Sequence, residues 1–118
     1  MATLSTHTLN SVDGTHAGGV LVTLTRIDAD GRRAELFRQA TDEGGRLARE
    51  IDPQDLRPDA IYEMVLDVGP YFSAMTPPPR GPRFIREVVI RLEMPDPDGR
   101  YHIPFVLAPN AYSVWYSG

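Results

Sequence analysis

Apolar and polar residues alternate along this chain in short runs, separated by turn-forming residues. Residues 19–27 put Val20, Val22 and Leu24 on one face and Leu21, Thr23 and Thr25 on the other, the two-residue period of a strand. Residues 35–40 follow the Asp30-Gly31 turn, which predicts a hairpin with the preceding run. Residues 61–68 group Tyr62, Met64, Leu66 and Val68 against Ile61, Glu63, Val65 and Asp67. Residues 85–94, 101–107 and 112–116 read as further strands, and Leu4 and Leu9 suggest a short buried first strand. Between the large strands, Pro70 is suited to the first turn of a short helix carrying Tyr71, Phe72 and Met75. Pro77-Pro78-Pro79 reads as a surface loop and Asp96-Pro97-Asp98-Gly99 as a turn. About seven short strands at this spacing predict an all-β sandwich or barrel.

Composition narrows the function. The 118 residues fit one domain, 1–118, with no repeat or internal boundary. The net charge of -4 argues against nucleic acid, which demands a clustered positive surface. All 12 basic residues are arginine, a planar fork for carboxylates and carbonyls. The absence of cysteine excludes disulfides, thiolate catalysis and thiolate metal sites. No apolar run approaches the roughly 20 residues that span a membrane, and the first residues show no leader pattern. The expected location is the cytoplasm.

Few polar residues invite a chemical reading. His7 lies in the first strand, and His102 shares a strand face with Pro104 and Val106 if Ile103, Phe105 and Leu107 pack inward. Taken alone, each reads as a satisfied structural or surface histidine. His16, in a Gly-rich loop, is given no role. Arg46 reads as a loop charge that matters only if the fold turns it toward the histidines. Tyr112, Trp115 and Tyr116 crowd the last residues, suited to pinning a strand, an interface or a planar ligand. No phosphate loop, nucleophile elbow or metal-spaced histidine pair is present.

Four segments carry a resemblance. Leu4-Ser5-Thr6-His7-Thr8-Leu9-Asn10 resembles the L-S-T-H-V-L-D signature of the 5-hydroxyisourate hydrolases, the transthyretin-like enzymes of urate breakdown. Residues 61–72 resemble that family's Y-E-L-x-F-D-V-G-x-Y-F segment. Residues 101–113 are similar to its Y-H-V-P-L-L-x-S-P-x-x-Y-S, and residues 41–46 to its T-x-x-D-G-R. The segments come in the family's order over the whole length.

The resemblance implies a transthyretin-like sandwich of two antiparallel or mixed sheets with one short helix. It implies a homotetramer, a dimer of dimers, with active sites in the channel between dimers. His7, Arg46 and His102 are its implied catalytic residues, assisting water attack on a ring carbonyl of 5-hydroxyisourate without metal or organic cofactor. Tyr112, Ser113, Trp115 and Tyr116 are the implied substrate-binding residues. The tail departs from the family: Trp115-Tyr116-Ser117-Gly118 stands where its hydrolases carry Tyr-Arg-Gly-Ser. Two alternatives stay open here. One is a diverged enzyme using the same trio on another cyclic amide, imine or lactone, in secondary metabolism. The other is a non-catalytic carrier of a small ligand.

Overall fold

The computed structural model describes residues 1–117. Eight strands form two four-stranded sheets that face each other across one core. The first sheet runs β4 (Arg46–Ile51), β1 (Ala2–Asn10), β7 (Arg100–Leu107), β8 (Tyr112–Val114). The second runs β3 (Arg33–Ala40), β2 (Leu21–Ile27), β5 (Ile61–Asp67), β6 (Glu87–Leu92). The β1–β7 pair is parallel and every other pair antiparallel, so the first sheet is mixed.

Alternation fills the core as the sequence predicts. Val22, Leu24, Tyr62, Met64, Leu66, Ile103, Phe105 and Leu107 turn inward and are buried. Each such side chain contributes about 1.5–3 kcal/mol by leaving water. The inward face of β1 is unusual in carrying Thr6, Thr8 and Asn10. Buried hydroxyls and amides need partners, and these have them. Thr6 Oγ1 donates to the Ile103 carbonyl at 2.6 Å, Thr8 Oγ1 to the Ala17 carbonyl at 2.6 Å, and Asn10 Nδ2 to the Tyr71 hydroxyl at 3.0 Å.

Several expectations change. The first strand is longer than Leu4 to Leu9, and Leu9 does not turn inward with Leu4. Their odd spacing puts them on opposite faces. A strand at Arg46–Ile51 went unpredicted, so Arg46 opens a strand instead of sitting in a loop. Arg49 hides its period, because this half-buried arginine lies over the Phe37 ring, 4.8 Å from its centroid. The helix α1 (Val68–Ser73) begins two residues before Pro70, still within the turn whose N–H groups lack helical acceptors. The strand expected over 85–94 is trimmed to Glu87–Leu92, as Ile85 N–H donates instead to the Pro109 carbonyl.

The turn that delivers Arg46 is closed by Asp42. Its carboxylate accepts from Gly44 N–H and Arg46 N–H, each at 2.9 Å. Gly45 has a φ of +74°, and a Cβ there would collide with the Thr8 carbonyl oxygen. Its own carbonyl accepts from Thr8 N–H at 2.7 Å. Gly45→Ala is therefore expected to destabilise the fold by about 3 kcal/mol, through backbone strain and the displaced turn, as read by urea unfolding.

Candidate active site

The outward face of the first sheet gathers the chemistry. On β1, Ser5 and His7 point outward, two residues apart. His7 is in register with Arg46 on β4, and Ser5 with His102 on β7. Three adjacent strands thus bring two imidazoles and a guanidinium to one surface. A cleft of about 440 Å³ opens there, lined by Ser5, Gln39, Asp42, Arg46, Ala48 and His102. A second hollow of about 410 Å³ lies beside α1, with Tyr71 and Met75 in its wall and Asp67 as its one charged side chain. Only the first cleft joins an imidazole to a guanidinium.

Each histidine is held by a different device. His102 Nδ1 lies 2.8 Å from Ser5 Oγ. That contact fixes the ring, and Nε2 has no hydrogen-bond partner among the described residues. His7 Nε2 lies 3.0 Å from the Gly44 carbonyl oxygen and 2.9 Å from His16 Nδ1. Ser5 and His16 were not foreseen. Ser5 was legible in principle, being two residues before His7 on the same face. His16 was not, because its approach depends on how the loop folds back. Among the described residues, no three His, Asp or Glu side chains converge to hold a metal ion.

Burial, and next the Arg46 guanidinium, hold His7 below the ordinary histidine value of 6.5. The Gly44 carbonyl pulls the other way, while His16 and His102 add to the lowering. His7 is therefore neutral at pH 7 and available to accept a proton. Because the folded value lies below the unfolded one, the unfolded chain binds more protons between the two. Stability from this group is full above the unfolded value and is lost as pH falls through the folded value. The chain has 3 histidines, so an NMR titration resolves them all. The His7 midpoint is expected below 6.5, and Arg46→Gln is expected to raise it.

The tail divides its residues between two faces. Trp115 N–H donates to the Pro104 carbonyl at 3.3 Å and Ser117 N–H to the His102 carbonyl at 2.8 Å, so the β8 register continues past Val114. Alternation then puts Ser113 and Trp115 on the side of His102. Tyr116 falls on the opposite side, its ring 6.5 Å from that of Tyr101 and its hydroxyl 3.5 Å from the Arg100 carbonyl. Tyr112 pairs with Leu107 and shares that opposite side. Of the four expected substrate-binding residues, the strand aims Ser113 and Trp115 toward the histidines and turns Tyr112 and Tyr116 away. Gly118, the last residue of the altered tail, lies outside the described residues.

Comparison with known proteins shows the family. The family model for the HIUase/transthyretin family matches residues 4–118. The chain belongs to the HIUase/transthyretin family. The 5-hydroxyisourate hydrolase of Pseudomonas aeruginosa is 31% identical over 98% of this chain and 90% of its own length. The structure of Klebsiella pneumoniae 5-hydroxyisourate hydrolase superposes with a TM-score of 0.77 at 27% identity, covering 100% of both chains. Sea bream transthyretin in complex with thyroxine gives a TM-score of 0.81 at 23% identity over 97% of this chain and 93% of its own, a likeness of fold alone.

Proposed function

We propose that this member of the family is a hydrolase that opens the lactam ring of 5-hydroxyisourate, with His7, Arg46 and His102 as its catalytic residues. The observation that carries the reading is the meeting of the three side chains on one outward face, with Arg46 directly in register with His7. Curated relatives of that activity over nearly the full length support it.

The chemistry follows from the groups. One neutral imidazole takes a proton from water as the water oxygen bonds to the ring carbonyl carbon. The carbonyl π pair moves to oxygen, and the guanidinium stabilises that oxyanion. When the tetrahedral adduct collapses, the C–N bond breaks, and a proton delivered through the second histidine reaches the leaving nitrogen. Ser113 and Trp115 border the same face and contact the bound ring system.

The reading takes residues 1–118 as one transthyretin-like domain that acts in the cytoplasm as a homotetramer. The cleft is open to solvent above the sheet, and a second copy laid over it supplies the covering wall. One observation favours a second reading. Trp115, 46% exposed on the cleft side, presents a broad apolar plane where the family's hydrolases carry tyrosine. That plane suits a larger or less polar cyclic amide, imine or lactone. The deciding test is the ultraviolet decay of freshly generated 5-hydroxyisourate. Acceleration by the protein supports the first reading, and an unchanged decay rate removes it.

A further inference from the structure

His16 stands outside the trio, yet its ring lies against His7. The loop that carries it is pinned on both sides: Asn10 N–H donates to the Thr15 carbonyl at 2.8 Å, and Ala17 N–H to the Thr8 carbonyl at 2.9 Å. Leu9 and His16 thereby form an antiparallel bridge. A bridged residue shares the outward face of its partner, and the diagonal neighbour two positions along is His7. The two imidazoles are near parallel, at 25°, with centroids 4.9 Å apart.

The hydrogen-bond chemistry then selects a tautomer. The Gly44 oxygen only accepts, so its 3.0 Å contact requires the proton of His7 on Nε2. His16 Nδ1, 2.9 Å from that same nitrogen, must then present its lone pair. The reverse arrangement, with His16 donating, sets the His7 lone pair against the Gly44 oxygen and is repulsive. With the proton shared between two acceptors at Nε2, the unprotonated nitrogen of neutral His7 is Nδ1.

We propose that His16 is a positioning residue: with the Gly44 carbonyl it locks His7 in the Nε2–H tautomer, so that Nδ1 of His7 takes the proton from the attacking water. This rests on the hydrolase reading for its catalytic half. When water transfers a proton to Nδ1, its oxygen bonds to the carbonyl carbon and His7 becomes imidazolium. Both Nε2–H contacts are then charge-assisted and strengthen as the charge forms. His16 thus acts as the orienting third member behind a base, a role often held by a carboxylate. His102 is not constrained in this way, because the serine hydroxyl on its Nδ1 can either give or accept a proton.

The test has a structural arm and a kinetic arm. In ¹⁵N-histidine-labelled wild-type protein, His7 is expected to show a protonated Nε2, a bare Nδ1, and a coupling across the hydrogen bond to His16 Nδ1. A His7 signal with the proton on Nδ1 overturns the proposal whether or not the protein hydrolyses 5-hydroxyisourate. His16→Ala is expected to mix the His7 tautomers and lower kcat about fivefold, with KM unchanged, from the loss of one neutral hydrogen bond. His16→Asn, whose Oδ1 can stand in for Nδ1, is expected to restore both. Unmixed tautomers and wild-type kcat in His16→Ala reject the role. If no variant or wild type turns over 5-hydroxyisourate, the reaction is wrong, and the tautomer measurement still decides the positioning claim.

Discussion

Replacing His102 with asparagine is expected to lower kcat for 5-hydroxyisourate by about 10²- to 10⁴-fold, the range for a lost general acid–base group. Asparagine suits the test because its side chain keeps a polar atom near the Nδ1 position. Ser5 Oγ, 2.8 Å from that nitrogen, thus retains a partner. What disappears is Nε2, the ring nitrogen with no hydrogen-bond partner among the described residues. His102 is only partly buried, so no cavity opens and the unfolding midpoint should hold. Single-turnover kinetics on the purified variant separate the two effects. A wild-type rate removes His102 from the reaction, and a lost fold removes the variant from the comparison.

The second large effect belongs to Arg46. Arg46→Gln is expected to reduce kcat by about 10²- to 10³-fold, as expected for a lost oxyanion donor. The glutamine amide still donates, but it brings no charge to the developing oxyanion. Arg46→Lys is expected to recover only part of the rate, since an ammonium is a point charge without the planar fork. Because the Arg46 backbone is held by Asp42, neither change disturbs the turn. Equal losses in Gln and Lys variants assign the effect to the fork. Full recovery by lysine assigns it to charge.

The sandwich was legible because its central strands obey a strict period. Val22 and Leu24, like Met64 and Leu66, needed only the rule that every second residue turns inward. The Arg46–Ile51 strand escaped because Arg49 occupies an inward position and lies over an aromatic ring instead of entering the core. The proposed catalytic trio was legible only through resemblance. No spacing rule links residues separated by nearly the whole chain, and the register between β1, β4 and β7 is what unites them. The orientation of Tyr116 also needed the structure, since in an extended tail adjacent residues face apart and it lies on the side of Tyr101, opposite to Trp115. His16 left no pattern at all, since its approach to His7 comes from backbone bonds on either side of it.

The parallel pairing of β1 with β7 has a consequence for how the molecule is made. On a ribosome, the first strand emerges long before the residues that flank it in the sheet. Until Arg100–Leu107 has been synthesised, β1 can pair along one edge with β4, while its other edge stays unsatisfied. Such non-local closure slows folding and leaves a pairing edge open to other chains in the interval. A nascent or truncated chain that stops before β7 therefore holds His7, His16 and Arg46 but lacks His102. Only a chain translated and folded through β7 can display the proposed trio.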